Sequence, residues 1–187
     1  PEPVESWLED EDETISINYT SGTTGRPKGV MYSHRGVWVN ALGELVETAM
    51  SFDTKYLWTL PMFHCNGWCF TWAVTAVAGT HVCLRKVEPG RIWDLLDREG
   101  VTHYNGAPTV QIGVVNDPKA HKLARPVTVT VAGAPPSPTL LGKLKELAFK
   151  PVHVYGLTET YGPHTVCGWN ADWDRLPAEE QARLAAR

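Results

Sequence analysis

The sequence has no surplus of positive charge and no long apolar run. Its 187 residues contain 17 Lys and Arg against 21 Asp and Glu, which gives a net charge of −4. This balance argues against nucleic acid as a partner, because nucleic-acid-binding domains usually carry a basic surface. No stretch reaches the ~18 consecutive apolar residues of a transmembrane helix, so no membrane span is expected. The acidic, polar N-terminus is also unlike a signal peptide.

Cysteine is scarce. Of the four cysteines, Cys65 and Cys69 lie beside His64. One C-x-x-x-C pair with a single flanking histidine is a poor zinc site. Buried free thiols are the preferred interpretation, and they favour a reducing compartment. The predicted location is therefore cytoplasmic.

The acidic residues are unevenly distributed. Residues 1–13 carry seven acids and no base, and the remaining 17 bases and 14 acids give that part a net charge of +3. A body of this charge can receive a polyanion such as a nucleotide. We predict an acidic leader or linker over 1–13, an α/β subdomain over 14–170 and a helical tail over 171–187.

Short β-branched runs alternate with longer helical stretches. This alternation predicts an α/β fold with a doubly wound, mostly parallel sheet and helices on both faces. The predicted strands are 15–20, 29–33, 55–60, 80–85, 101–105, 127–132 and 151–155. The predicted helices lie near 34–50, 66–78, 89–99, 107–116 and 137–149. Open parallel sheets bind ligands at the carboxyl ends of their strands. Four loops fall at such ends: 20–29, 61–68, 133–136 and 156–160.

Residues 18–29 read NYTSGTTGRPKG and combine hydroxyls, glycines and one lysine. The glycines allow backbone N–H groups to converge on an anion, and Lys28 adds a mobile positive charge. The composition therefore predicts a polyphosphate loop. It matches neither G-x-x-x-x-G-K-[ST] nor G-x-G-x-x-G. On composition alone, a mobile surface turn between two strands remains the alternative.

This stretch closely resembles the signature of the adenylate-forming superfamily, which contains acyl-CoA synthetases, adenylation domains of peptide synthetases and luciferases. Two further stretches match in the expected order, LPMFHCNGW (60–68) and VYGLTET (154–160). AGAP (132–135) lies where the family places its adenine-flanking loop. The resemblance spans residues 15–165 and implies part of the N-terminal domain of such an enzyme.

Members of this family form an acyl adenylate from a carboxylic acid and ATP, and its CoA ligases then transfer the acyl group to coenzyme A. The resemblance implies catalytic roles for Lys28, His64, Thr158 and Glu159. Glu159 would bind Mg²⁺, a hard cation that prefers oxygen ligands. The nucleotide-binding residues that it implies are Thr20, Ser21, Gly22, Thr23, Thr24, Gly25, Lys28, Gly133, Ala134, Pro135, His153, Tyr155, Gly156, Leu157 and Thr158.

On the acid side, the resemblance places His64 beside the substrate carboxylate and assigns Trp68, Gly106 and His164 to the substrate pocket. Without the motif, His64 would be read as an ordinary core or surface histidine. An apolar core role for Trp68 and a structural role for His164 remain open.

The sequence departs from the family in what it lacks. It contains no Gly-Asp dipeptide, which in the family grips the ribose, and no lysine after Lys150. We therefore expect the middle of a longer enzyme that binds nucleotide weakly and is inactive alone. We also expect it to pair with itself through exposed sheet surfaces, as a homo-oligomer. The aromatic-rich motifs favour an acyl-CoA ligase for fatty or other apolar acids. An amino-acid adenylation domain and a non-catalytic nucleotide-binding or interaction module are the alternatives.

Overall fold

The computed structural model describes residues 8–20 and 25–186. Its strands are β1 (Thr14–Thr20), β2 (Lys28–Ser33), β3 (Lys55–Trp58), β4 (Thr80–Cys83), β5 (His103–Gly106), β6 (Val127–Val131), β7 (Phe149–Leu157) and β8 (Gly162–Val166). Its helices are α1 (His34–Thr48), α2 (Cys65–Trp68), α3 (Phe70–Ala76), α4 (Pro89–Glu99), α5 (Pro108–Val115), α6 (Pro138–Glu146) and α7 (Ala178–Ala185). Two 3₁₀ turns span Thr158–Thr160 and Ala171–Arg175.

A six-stranded sheet in the order β4-β3-β5-β6-β7-β8 forms the centre of the fold. Its strands are parallel except for β8, which runs antiparallel to β7. The chain moves from β3 outward to β4 and then returns to β5 on the other side of β3. This reversal is the switch point of a doubly wound sheet. The predicted mostly parallel sheet is confirmed, and the antiparallel β8 was not predicted.

Helices cover both faces of the sheet, as predicted. Side chains of β3 alternate, so Leu57 joins one core while Tyr56 and Trp58 join the other. We call these the α4–α7 face and the α1–α3 face. The α4–α7 face contains the buried apolar side chains of α4, α5 and α6 together with Ala182 of α7. The predicted helical tail therefore contributes one buried residue to the main core.

A separate antiparallel hairpin, β1–β2, leads into α1. Ser33 caps α1, because its hydroxyl accepts a hydrogen bond from the Gly36 N–H at 3.1 Å. The backbone of the leader also contacts this helix start, where the His34 N–H donates to the Glu13 carbonyl at 3.1 Å. The hairpin and α1 are thus fixed to each other, and the hairpin carries the predicted phosphate loop at its tip.

Candidate active site

The loops that carry the sequence motifs meet around one cavity of about 540 Å³. It lies beyond the carboxyl ends of β6 and β7, where ligands of doubly wound sheets bind. Nine of the predicted site residues line it: Thr20, Lys28, His64, Trp68, Gly133, Gly156, Leu157, Thr158 and Glu159. The lining also includes residues that the sequence did not single out: Tyr19, Cys65, Ala132, Gly162 and Pro163.

Two residues at the ends of the predicted phosphate loop, Thr20 and Lys28, line one side of this cavity. Thr20 and Lys28 are paired across the hairpin, so both flank the loop at its base. Gly25 has a φ of +87° and has no heavy atom within 4 Å of the position of a Cβ, so its backbone needs glycine although space is available. Ser21, Gly22, Thr23 and Thr24 lie outside the described residues.

The segment after His64 has an unusual backbone. Cys65, Asn66, Gly67, Trp68 and Cys69 all have positive φ, from 50° to 65°. Left-handed conformation costs a non-glycine residue about 1–2 kcal/mol, so tertiary contacts must hold this run in place. The sequence predicted an ordinary helix near 66–78, which instead begins properly at Phe70.

Asn66 supplies the contacts that anchor this left-handed segment. Its Oδ1 accepts hydrogen bonds from the Ser16 hydroxyl at 2.8 Å and from the Asn18 side-chain amide at 2.6 Å. Its backbone carbonyl accepts from the Thr71 hydroxyl at 2.9 Å. Ser16 and Asn18 belong to β1, which ends at Thr20. Asn66 therefore ties the His64 loop to the strand that leads into the phosphate loop.

Close packing fixes Trp68 against the opposite wall. Gly162 has a φ of +98°, and a Cβ there would lie 3.0 Å from the Trp68 Cα. A Cβ on Gly156 would lie 1.6 Å from the Gly162 carbonyl oxygen. Both glycines are thus required for β7 and β8 to meet the Trp68 segment. Gly156, which the resemblance assigns to the nucleotide, has a packing role in any case.

Thr158 contacts β2 through Tyr32 and the segment after His64 through Cys65. The Tyr32 hydroxyl donates to the Thr158 carbonyl at 2.6 Å, and the Cys65 Sγ lies 3.1 Å from the Thr158 Oγ1. Burial raises the pKa of the Tyr32 hydroxyl well above its ordinary value, and the nearby Cys65 adds to the shift. The phenol therefore stays protonated at neutral pH and remains a donor. Cys69 is similar, because burial raises the pKa of its thiol, which donates to the Tyr161 carbonyl at 2.9 Å.

Glu159 follows Thr158 at the exposed edge of the cavity. It takes part in none of the ion pairs formed by the described residues. A carboxyl group that follows Thr158 and lines the same cavity as Lys28 fits a hard cation that takes its other ligands from phosphate oxygens and water. No group of three or more His, Cys, Asp or Glu side chains within 8–20 and 25–186 is arranged to hold a metal by itself.

The predicted adenine-binding residues lie side by side, on β7 and on the loop after β6. β6 and β7 are neighbours with Val131 opposite His153, so the loop that begins at Gly133 emerges next to Tyr155. Tyr155 is 60% exposed and can present its ring to a ligand. Ala134 and Pro135 are exposed in the same loop.

Of the predicted residues that the structure describes, seven do not line this cavity: Gly25, Gly106, Ala134, Pro135, His153, Tyr155 and His164. The His153 Nδ1 is 3.3 Å from the Ala185 carbonyl, on the side of the tail. Gly106 is the last residue of β5, where a Cβ would be 2.7 Å from the Gln111 Nε2 and would displace that side chain. His164 lines a second cavity beside the first.

Sequence reasoning missed Asn66, Cys65 and Tyr32. Asn66 had a local signal, since Asn-Gly marks a turn more often than a helix interior. Cys65 was predicted to be a buried free thiol, which is confirmed. Its contact with Thr158 was not predicted. Tyr32 lies in a strand, and nothing in its neighbourhood reveals a contact with Thr158.

Among the described residues, no helix is long and apolar enough to span a membrane.

A doubly wound sheet with motif loops around one cavity at its strand ends is the architecture of an α/β ligand-binding domain. The family model described as "AMP-binding enzyme" matches residues 2–184. The chain belongs to the AMP-binding enzyme family, within the adenylate-forming superfamily, and it covers part of the N-terminal domain.

Two curated relatives show the similarity. One is 4-hydroxybutyrate–CoA ligase 2 of Metallosphaera sedula, 48% identical over 188 residues, which are 100% of this chain and 34% of the relative. Another is the peroxisomal acetate/butyrate–CoA ligase AAE7 of Arabidopsis thaliana, 46% identical over 99% of this chain and 32% of the relative. The chain thus spans about a third of the length of these relatives.

Among solved structures, the fold is similar to the inhibitor-bound N-terminal domain of FACL13 from Mycobacterium tuberculosis. The TM-score is 0.78 and the identity 26%, and the match covers 88% of this chain and 42% of that chain. The predicted fold class and the predicted family are both confirmed.

Proposed function

We propose that a full-length protein carrying this segment is an AMP-forming acyl-CoA ligase. A carboxylate oxygen attacks the α-phosphorus of ATP, and the bond to pyrophosphate breaks to leave an acyl adenylate. The CoA thiolate then attacks the acyl carbon, the bond to AMP breaks, and the thiol proton passes to solvent. The observation that carries this proposal is the meeting of Lys28, His64, Thr158 and Glu159 around one cavity in a member of the AMP-binding family.

The nucleotide would lie across the strand ends. Lys28 and the 20–25 loop bind the β- and γ-phosphates, because a cation and convergent N–H donors match their charge. The Thr158 hydroxyl donates to the α-phosphate. Tyr155 stacks on one face of adenine and the loop from Gly133 covers the other.

Glu159 would hold Mg²⁺ together with phosphate oxygens, and this ion would supply positive charge near the departing pyrophosphate. His64 is exposed and lines the cavity, and it would orient the acid. Trp68, which is 7% exposed, closes the wall behind it. We keep His153, Gly106 and His164 as weaker assignments, because His153 contacts Ala185 of the tail, Gly106 ends β5 and His164 lines a different cavity.

For the substrate, we propose acids with several methylene groups, including fatty acids, in preference to acetate. Each buried methylene contributes about 0.8 kcal/mol, and the indole of Trp68 in the cavity lining favours such burial. Similar specificity constants for acetate and octanoate would contradict this preference. The reducing cytoplasm stays a prediction, for which the thiols Cys65 and Cys69 are the support.

The isolated chain of 187 residues would bind ATP weakly and make no thioester, because no Gly-Asp dipeptide and no distal lysine are present in it. We also propose that it self-associates. Apolar side chains on the hairpin and α1 support this, since Met31 is 66% and Val46 76% exposed. Thioester formation by the isolated chain would refute its proposed inactivity. A monomer in light scattering would refute the proposed self-association.

The central test uses the full-length protein. Acid-dependent exchange of pyrophosphate into ATP and CoA-dependent thioester formation should both occur, and Lys28→Ala should lower both by about a hundredfold. Lys86→Ala is the matched control, because Lys86 pairs with Glu88 on the surface and should have no effect. ATP binding without exchange for any acid would overturn the proposal.

A further inference from the structure

The segment after His64 carries two thiols with different surroundings. Cys65 belongs to the lining of the candidate active-site cavity, whereas Cys69 is fully buried and does not line it. The Cys65 Sγ lies 3.1 Å from the Thr158 Oγ1, while the Cys69 thiol donates to the Tyr161 carbonyl at 2.9 Å. Of these two thiols, that of Cys65 therefore contacts the side chain to which the proposed function gives a role in binding ATP.

The left-handed backbone determines where the Cys65 thiol points. The φ angles are 50° at Cys65 and 52° at Asn66, a conformation that non-glycine residues rarely adopt. The Cys69 N–H donates to the Cys65 carbonyl at 3.2 Å and closes the turn, and the side chain of Asn66 anchors it to β1. Backbone strain of this kind persists where the surrounding structure holds it, and it concentrates at functional sites. The contact between Cys65 and Thr158 is thus maintained by the fold around it.

Thr158 is held at its backbone and at its side chain by different groups. The Tyr32 hydroxyl and the Tyr161 N–H donate to the Thr158 carbonyl at 2.6 and 3.2 Å. Burial raises the pKa of the Tyr32 hydroxyl, so this donor keeps its proton at neutral pH. Because that single proton is directed to the backbone carbonyl, Tyr32 does not orient the Thr158 hydroxyl. Within residues 8–20 and 25–186, the hydrogen bond of that hydroxyl is with Cys65.

The direction of this hydrogen bond follows from the task of the Thr158 hydroxyl. A hydroxyl has one proton to donate and can also accept, and a thiol is a weak donor and a weak acceptor. If the Thr158 proton is directed to a phosphate oxygen, the hydroxyl can interact with Cys65 only as an acceptor, so the thiol is the donor. A hydroxyl that accepts one hydrogen bond is polarised and becomes a stronger donor in the next.

We propose that Cys65 is a positioning residue for the adenylation step: its thiol donates to the Thr158 hydroxyl and thereby directs the Thr158 proton to the α-phosphate of ATP. This inference rests on the proposed ligase function. Cys65 acts through Thr158 and does not touch the reacting atoms. The charge on the α-phosphate oxygens changes as the new bond to phosphorus forms, so the loss of this alignment should lower kcat more than it raises KM for ATP.

The test measures acid-dependent exchange of pyrophosphate into ATP by the full-length protein. Cys65→Ala should lower kcat by about tenfold, the factor of one ordinary hydrogen bond, and leave KM for ATP nearly unchanged. Cys65→Ser keeps a donor at this position and should recover most of the loss. Cys69→Ala is the matched control, because it removes a buried thiol from the same segment without changing the cavity lining. It should lower stability and leave kcat unchanged.

A double-mutant cycle shows whether Cys65 acts through Thr158. Thr158→Val removes the hydroxyl and keeps the branched shape of the side chain, and it should lower kcat by about a hundredfold. In this background Cys65→Ala should have no further effect, because no hydroxyl is left to orient. A general packing role of Cys65 would instead give losses that multiply.

The outcomes separate this inference from the proposed function. Absence of exchange and of thioester with every acid in wild type refutes the ligase function and the inference with it. Exchange in wild type that Cys65→Ala leaves unchanged, that Cys65→Ser fails to restore, or that falls further in the double mutant refutes the inference alone. If Cys65→Ala does not fold, Cys65→Gly decides, because glycine also lacks the thiol and adopts the φ of 50° without strain.

Discussion

The two faces of the central sheet are built differently. On the α4–α7 face, the buried polar groups are paired: the Trp93 indole donates to the Val114 carbonyl at 2.9 Å, and the Tyr104 hydroxyl donates to Gln111 Oε1 at 2.7 Å. On the α1–α3 face, Glu44 and Tyr56 keep unpartnered buried oxygens. The left-handed run Cys65–Cys69 lies on this side as well.

This difference separates stability from function. Strain and unsatisfied polar groups persist where the surrounding structure holds them for a purpose, and they concentrate at functional sites. The buried polar side chains of the α4–α7 face are paired, so this face should act as the scaffold. The α1–α3 face borders the cavities. Substitutions on this face should alter activity, and the protein should tolerate their effects on stability.

The largest effect should come from the scaffold. Trp93 is fully buried, packs against Phe149 and donates to Val114. Trp93→Ala should lower the free energy of unfolding by about 3–5 kcal/mol, because it leaves a large cavity and an unpaired carbonyl. Urea unfolding of the full-length protein measures this. If Trp93→Ala left the free energy of unfolding unchanged but lowered the activity of the folded protein at low temperature, the assignment of stability to one face and activity to the other would be wrong.

The next effect should concern activity alone. Glu159→Gln keeps the size of the side chain and removes the charge that we assign to Mg²⁺. It should lower pyrophosphate exchange by about a hundredfold and leave the melting temperature unchanged, because Glu159 is exposed. Glu179→Gln, an exposed change in α7, is the control. Exchange at the wild-type rate would remove Glu159 from the site.

Two substitutions at Asn66 separate the effect of backbone strain from the effect of the lost hydrogen bonds. Asn66→Ala and Asn66→Gly both remove the hydrogen bonds from Ser16 and Asn18. Glycine accepts the φ of 52° at Asn66 without strain, so the alanine variant should be about 1 kcal/mol less stable. Both variants should raise KM for ATP, because the His64 loop is no longer tied to β1. Equal unfolding free energies would show that the left-handed segment stores no strain.

The buried carboxyl predicts a pH dependence on the α1–α3 face. Because the pKa of Glu44 is raised above its ordinary 4.5, the folded protein holds a proton that the unfolded chain releases. Stability from this group is therefore complete below the ordinary value and is lost as the pH rises towards the folded pKa. Glu44→Gln should unfold at increasingly higher urea than wild type as the pH is raised. A difference independent of pH would mean that Glu44 is ionised in the fold.

Local patterns predicted the scaffold well and the site poorly. The β-branched run at 127–132 and the amphipathic stretch at 89–99 predicted β6 and α4, since burial on one face sets their periodicity. β8 escaped because Gly162 and Pro163 have low strand propensity. The left-handed segment escaped because the contacts of Asn66 with β1 are remote in sequence. The predicted site residues came from the family resemblance and not from local patterns, and their roles stay predictions.

The smallest expected effect tests whether the two aromatic rings below Thr158 act separately. Tyr32 and Tyr161 stack with ring centroids 4.2 Å apart. Tyr32→Phe keeps the ring but removes the donor to the Thr158 carbonyl, which should lower stability by about 1 kcal/mol. Tyr161→Phe removes the oxygen that accepts from the Ser33 N–H at 3.2 Å, at the start of α1. The two variants should therefore lose similar stability, while only Tyr32→Phe raises KM for ATP, since it alone frees the turn that presents Thr158. An equal rise in KM for both would mean that the stacked pair, and not the single hydrogen bond, positions Thr158.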